Sequence, residues 1–263
     1  MEAKYIHLEE TQSTNSHLAG IASKAEHGTV VYADRQTAGR GQRGNTWESE
    51  PGKNITMSVL LKNGNVMPAK QFQLSEICAL AVARTLAKYI GAVSIKWPND
   101  IYYRDSKICG ILIEHSLAGG KIDHTIMGIG LNVNQTEFHS DAPNPISIAM
   151  IKGEEVDVEE IIHEIAERIL ELCDQLPAKA SEIHRAFLNV LYRRSLMCDY
   201  HSVKDSVSDN GLEKIAAGDK FTATICDVEP DGMLLLRTDR GGIHRFAFKE
   251  VEFVIPRHRV SLN

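Results

Sequence analysis

The sequence predicts an α+β protein: a mixed β-sheet with its helices packed on one side, followed by a small antiparallel β-barrel. Three features point there. Segments of apolar period two alternate with a few segments of helical period up to about residue 195. A glycine-rich stretch joins one strand pattern to another, and the remaining chain is made of short strand patterns separated by tight-turn residues.

Each element follows from its local pattern. Ser13, Thr14 and Asn15 are cap-type residues, and Leu18, Ile21, Ala22 and Ala25 follow at helical spacing, so a short helix opens there. A strand over 29–35 leads through the glycines of 39–44 to a strand over 54–62, where Ile55, Met57, Val59 and Leu61 alternate with Thr56, Ser58 and Leu60. Pro68 suits a first helical turn, because its missing N–H would have no partner there. The stripe Leu74, Ile77, Cys78, Ala81, Val82 and Leu86 then marks a long helix that stops near Gly91. Strands over 93–96, 107–117 and 125–133 are separated by the turn-forming Pro98-Asn99-Asp100, Arg104-Asp105-Ser106 and Gly119-Gly120. Asp157 caps a helix carrying Ile161, Ile162, Ile165, Ile169, Leu170 and Cys173, and a helix over 180–192 pairs antiparallel with it. Beyond Leu196, strands over 220–227, 233–238 and 243–248 flank the turns Glu229-Pro230-Asp231-Gly232 and Arg240-Gly241-Gly242, while 202–218 reads as a flexible connection. The domains expected are therefore 1–195 and 196–263.

Composition narrows the function classes. At 263 residues, 43% hydrophobic and 24% charged, the chain has ordinary globular character and shows no internal repeat. A net charge of −6 without a dense Lys/Arg run argues against a general polynucleotide grip. Cys78, Cys109, Cys173, Cys198 and Cys226 have no CxxC spacing, so neither a disulfide framework nor a zinc site is suggested, and a reducing compartment is expected. The first 13 residues lack the apolar stretch of a signal peptide and no apolar run is long enough to span a bilayer, so a cytosolic protein is expected.

Four stretches carry chemistry. Gly39-Arg40-Gly41-Gln42-Arg43-Gly44 satisfies GxGxxG, but a dinucleotide fold needs a helix next, and Pro51 and Gly52 break the segment that follows. A strand–loop–strand can still wrap phosphates with backbone N–H groups, with Arg40 and Arg43 as cations; the alternative is an ordinary exposed turn. In Lys96-Trp97-Pro98-Asn99-Asp100-Ile101 a strand end meets a proline turn bearing a cation, an indole, an amide and a carboxylate, or simply a turn around a buried Trp. Lys107 precedes Gly110, where a missing side chain lets a ligand approach the backbone, although a lysine at a strand end is commonly just solvated. Gly128-Ile129-Gly130-Leu131-Asn132-Val133-Asn134 thins a strand where a flat ligand could lie, or marks a bulged strand and a turn.

Taken in order and spacing, these stretches, together with Glu10-Thr11-Gln12-Ser13-Thr14-Asn15, the Ala33-Asp34-Arg35-Gln36-Thr37-Ala38 that precedes the glycine loop, and the Ile108-Cys109-Gly110-Ile111-Leu112-Ile113-Glu114 that follows Lys107, make the sequence resemble the biotin protein ligase family, in the form lacking an N-terminal DNA-binding domain. The resemblance covers nearly the whole chain, and its C-terminal part looks like the family's small SH3-like domain. It implies that biotin and ATP, with Mg2+, are converted to biotinyl-5'-adenylate, and that biotin then passes to a lysine of a carrier domain. By the same resemblance Lys107 and Arg40 are the catalytic cations. Ser13, Thr14, Asn15, Gln36, Gly39, Arg40, Gly41, Gln42, Lys107, Gly110, Gly128 and Leu131 would bind biotin. Arg40, Gln42, Arg43, Trp47, Lys107 and Asn132 would bind ATP or the adenylate, with 135–145 as a covering loop; no residue is assigned to the metal.

The partner implied is the biotin carboxyl carrier domain of a carboxylase, with no DNA and no membrane, and the protein would be a monomer or weak homodimer. One position departs from the family pattern: Gln42 stands where a second arginine is usual in the glycine loop, which removes a charge-assisted contact to the adenylate. The competing readings are a lipoate or octanoate ligase, a biotin-responsive repressor, and a module that only sequesters biotin. The Lys-Trp-Pro-Asn-Asp segment and the arginine-bearing loop favour biotin. Ser13 lies too near the start for an upstream DNA-binding domain, and simple capture would need neither Arg40 nor Lys107.

Overall fold

Two sheets organise the chain, whose computed structural model describes residues 2–62, 66–140 and 144–255. The larger contains β1 (Lys4–Thr11), β2 (Thr29–Gln36), β3 (Ile55–Leu61), β4 (Ser94–Lys96), β5 (Asp100–Tyr103), β6 (Ser106–Ala118) and β7 (Lys121–Leu131). Their order across the sheet is β1-β2-β3-β7-β6-β5-β4. The β1–β2 pair is parallel and every other neighbour is antiparallel, which makes the sheet mixed, as expected. β1 and β5 are additions to the sequence reading. β1 is an edge strand, so none of its residues is buried and its pattern is mostly polar.

The helices are α1 (Thr14–Ile21), α2 (Phe72–Ile90), α3 (Ile148–Lys152), α4 (Val158–Asp174) and α5 (Ala180–Asn189). Pro68 opens a 3-10 turn over Pro68–Lys70 rather than α2 itself, and Gly91, at φ 76, ends α2 with a backbone that a side chain would strain. Asp157 caps α4 by accepting from the N–H groups of Glu159 at 2.8 Å and Glu160 at 3.2 Å. The long helices gather on one sheet face, where Leu74, Ile77, Ile161, Ile165 and Phe187 pack against Met57, Val59, Met127 and Ile129. Burying each such side chain contributes about 1.5–3 kcal/mol. The short α1 takes the opposite face, placing Leu18 and Ala22 on Val31, Leu60 and Ile126.

The second sheet contains β8 (Cys198–Ser202), β11 (Lys220–Val228), β12 (Leu234–Thr238), β13 (Ile243–Phe246) and β14 (Val251–Phe253), all antiparallel in the order β13-β12-β11-β8-β14. This matches the SH3-like expectation as a sheet; among the described residues no pairing of β13 with β14 closes it into a barrel. The stretch 202–218 is a correction: instead of a plain connection it carries an antiparallel pair, β9 (Ser206–Val207) with β10 (Lys214–Ile215). Its turn is held by Glu213 N–H donating to Ser208 Oγ at 2.9 Å.

Polar ties fasten this sheet to the first. Trp97 Nε1 donates to the Gly232 carbonyl at 3.0 Å. His184 on α5 bridges Glu76 of α2 at 2.6 Å and Asp227 of β11 at 2.9 Å. Arg193 reaches the Val254 carbonyl at 3.0 Å.

Candidate functional site

Strand register selects the floor of the site. Ser58, Gly128 and Leu112 lie side by side on β3, β7 and β6, as do Thr56, Gly130 and Gly110. Partners in register share a face, and this is the face that carries α1. A Cβ at Gly128 would collide with Asn15 Oδ1, and one at Gly130 with the Trp47 ring, so both positions need glycine for close approach. Above this floor lies a cavity of about 1180 Å³ that extends toward the second sheet and reaches Phe248, Glu252 and Phe253. It has the room for more than one small ligand.

A chain of hydrogen bonds runs along the floor. Gln36 Oε1 accepts from Thr14 N–H at 2.8 Å. Ser58 Oγ lies 2.8 Å from Thr14 Oγ1 and 2.6 Å from Asn15 Oδ1. Asn15 Nδ2 donates to Glu114 at 2.8 Å, and Arg40 donates to both oxygens of Glu114 at 3.0 and 2.8 Å. Ser13 occupies the N-cap position of α1 without a side-chain cap bond, and Thr14 and Asn15 in the first turn of the helix are buried.

Cations rim the cavity. Lys107 Nζ pairs with Asp100 at 2.7 Å and stands 5.7 Å from the Trp47 ring centre. Lys96 Nζ is set between Tyr102 at 5.4 Å and Phe253 at 5.1 Å. Burial pulls its pKa below the usual lysine value, and neighbouring Lys107 adds to this against the opposing Asp100 and Glu252. Among the described residues, no group of three or more His, Cys, Asp or Glu side chains is placed to hold a metal ion.

Of the residues predicted from the sequence, Ser13, Thr14, Asn15, Gln36, Arg40, Gly41, Gln42, Trp47, Lys107, Gly110, Gly128 and Asn132 all line this one cavity. Leu131 does not: it shares its register with Ile55 and Cys109 and is buried in the core beneath α2. Gly39 stands at the neck of the loop, where its carbonyl accepts from Trp47 N–H at 3.1 Å. Trp47, expected with adenine, lies across Gly110 and Gly130, and its Nε1 is buried without a partner. Asn132 spends its side-chain amide on the Ile146 carbonyl at 3.0 Å. This straps the segment from Asn144 against Lys107, whose N–H donates to the Asn144 carbonyl at 2.9 Å. Glu48 ties the two loops together by accepting from the N–H groups of His139 at 2.8 Å and Ser140 at 2.7 Å. The Arg43 side chain and residues 141–143 of the covering loop lie outside the described residues.

Sequence reasoning passed over Ser58 and gave no site role to Asp100 or Glu114, although both stand in stretches it singled out. Ser58 was legible as a polar residue between Met57 and Val59, and Glu114 as the residue that shares the face of Gly110 by period two.

The chain is similar to several known proteins. Residues 8–132 match the biotin/lipoate A/B protein ligase family. The biotin--[acetyl-CoA-carboxylase] ligase of Mycobacterium tuberculosis is 30% identical over 241 residues, 89% of this chain and 82% of that protein. The bifunctional ligase/repressor BirA of Bacillus subtilis is 36% identical over 164 residues, which cover 60% of this chain and 49% of the relative. The chain thus spans about half the length of that relative. Among solved structures, a biotin protein ligase from Aquifex aeolicus in complex with biotin and ATP superposes with a TM-score of 0.74 at 26% identity, covering 96% of this chain and 99% of that one. No helix of the described residues is long and apolar enough to cross a membrane.

Proposed function

The chain belongs to the biotin/lipoate A/B protein ligase family, and from that premise we propose that it is a biotin protein ligase, which activates biotin with Mg·ATP and passes it to a lysine of a biotin carboxyl carrier domain. The observation that carries this reading is the joining, in one glycine-floored cavity, of the neutral hydrogen-bonding side chains Thr14, Asn15 and Gln36, backed by the buried Ser58, with the cations Arg40 and Lys107. The first suits a polar, uncharged ring system, the second two anions that must meet.

In the first step a carboxylate oxygen of biotin attacks the α-phosphorus of ATP; the new O–P bond forms as the bond to pyrophosphate breaks. Both reactants are anionic and repel one another until neutralised. Fixed cations in a cavity shielded by Trp47 do this without reorganising solvent at the moment of reaction. Lys107, already held by Asp100 at 2.7 Å, offers its remaining ammonium hydrogens to the carboxylate and α-phosphate. Arg40, whose fork is held by Glu114, presents its remaining N–H groups from the glycine loop. A magnesium ion bound through the nucleotide's phosphates would supply further charge neutralisation. In the second step the carrier lysine, as a neutral amine, attacks the acyl carbon; the amide bond forms, AMP leaves with the bonding pair, and the amine proton passes to solvent.

The same proposal includes the division of the chain near residue 195 into a catalytic and a C-terminal domain, a cytosolic location, and a carrier domain rather than DNA as the macromolecular partner, the last supported by the net charge of −6. The test is to incubate the protein with Mg·ATP, biotin and a biotin carboxyl carrier domain and weigh the carrier. Addition of one biotin to one lysine is expected. Addition of lipoate but not biotin would move the protein to the other branch of the family, and no addition of either would remove the reading.

A further inference from the structure

We propose that Glu114 is a positioning residue of this site: its carboxylate is the single acceptor that orients both the loop cation Arg40 and the pocket amide Asn15. The inference deepens the ligase reading and rests on it.

Three N–H donors converge on two oxygens. Arg40 Nη1 donates to Oε1 at 3.0 Å, Arg40 Nη2 to Oε2 at 2.8 Å and Asn15 Nδ2 to Oε2 at 2.8 Å. Only an acceptor at both positions satisfies all three, and an ionised carboxylate is the side chain that has two. A glutamine in the same place would turn an NH2 group toward one of the donors. The forked pairing fixes the plane of the guanidinium yet uses two of its five N–H groups, so three remain for an incoming carboxylate or phosphate.

The second consequence travels through Asn15. Its other amide hydrogen goes to the Leu112 carbonyl at 3.3 Å, so Oδ1 is the end that meets Ser58 Oγ at 2.6 Å and packs over Gly128. Ser58 has one hydroxyl hydrogen and gives it to this acceptor. Thr14 must then act as the donor in its own contacts, to Ser58 Oγ at 2.8 Å or Gln36 Oε1 at 3.2 Å. Gln36 Oε1 in any case accepts from the Thr14 backbone N–H at 2.8 Å, which turns the Gln36 amide N–H groups, on a residue that lines the cavity, toward a ligand carbonyl. Glu114, with the Leu112 carbonyl, thus fixes which end of the Asn15 amide faces Ser58 and Gly128, while the Thr14 backbone N–H orients Gln36.

The Arg40–Glu114 pair is about half exposed, with side-chain exposures of 44% and 40%, so it adds little to folding stability and its removal should act on ligand binding. The experiment measures biotin-dependent ATP–pyrophosphate exchange and thermal midpoints on the full chain for wild type, Glu114→Gln, Arg40→Ala and the double variant. We expect Glu114→Gln to raise KM for biotin about tenfold, the size that follows from misdirecting one charge-assisted hydrogen bond, with kcat changed less. The midpoint should move by less than about 2 °C. With Arg40 already removed, the same substitution should raise KM by a clearly smaller factor, because partners acting as a unit are non-additive. An unchanged KM, an equal factor in both backgrounds, or a midpoint lowered by more than about 5 °C would each overturn the proposal. A wild type that exchanges with neither biotin nor lipoate would remove the ligase reading itself, and a wild type that exchanges normally isolates the test to Glu114.

Discussion

The two faces of the large sheet are built from the same strands and do different work. On β3, Met57 and Val59 face α2 and are fully buried among aliphatic neighbours, while Ser58 between them faces α1 and bonds to Asn15, which lines the cavity, at 2.6 Å. On β7, Met127 and Ile129 support the core, and Gly128 and Gly130 clear the floor of the site. Period two lets one strand supply cohesion on one side and chemistry on the other. A substitution should therefore reveal its face: losses of stability with the site intact on one, losses of activity with the fold intact on the other.

Gly130→Val should break the site face most severely. Its branched side chain would occupy the position of the Trp47 ring and the floor beneath it, and exchange activity should fall by about 100-fold or more. Circular dichroism should stay native, since the added atoms face the cavity and not the core. On the other face, Ile165→Ala should cost roughly 2–5 kcal/mol in denaturant unfolding, because Ile165 is fully buried and its cavity cannot collapse freely. KM for biotin should remain near wild type under native conditions. A variant on either face that lost both properties equally would break the partition.

Ser58→Ala sharpens the comparison by a smaller step. It removes the donor to Asn15 Oδ1 from a fully buried position, leaving an acceptor unsatisfied, and KM for biotin should rise about tenfold. In glycine-loop chemistry, Gln42→Arg should restore a cation to the cavity wall and slow adenylate release by roughly tenfold, which rapid filtration of labelled adenylate would measure.

The smallest effect expected is at the junction of the two sheets. Burial disfavours a charged His184, but the hydrogen bonds and charges of Glu76 and Asp227 outweigh it and raise the pKa. Burial likewise raises the Glu76 carboxyl, against the pull of His184. Both groups bind protons more tightly in the folded state, so the stabilisation from His184 is full below its ordinary pKa of about 6.5 and fades as pH rises through the raised value. The thermal midpoint should drop between about pH 6 and pH 8 by a few degrees, and less in His184→Gln. An equal drop in both would remove His184 as the cause.

The fold was legible where a strand or helix has one dry face. Residues 54–62 and the stripe from Leu74 to Leu86 announce themselves because alternation and helical period are written by burial. β1 was not legible, since an edge strand wets most of its side chains, and β5 begins inside a motif whose Pro98 and Asn99 read as a turn. In the site, the motif over 128–134 drew attention to the right strand, and parity should have separated Gly128, Gly130 and Asn132 from Leu131, which points to the core. The place of Trp47 was not legible. It depends on where a long loop folds back, and only the missing side chains at Gly110 and Gly130 hint that something must fill that space.

The central claim is that the cavity joins a carboxylate to a nucleotide under Arg40 and Lys107. Biotin-dependent ATP–pyrophosphate exchange, run for wild type and Lys107→Ala with biotin and with lipoate, tests it most directly. Exchange with biotin alone in the wild type, reduced by about 100-fold or more in Lys107→Ala, is the predicted result. Undiminished exchange in Lys107→Ala, or no exchange with biotin in the wild type, would contradict the account.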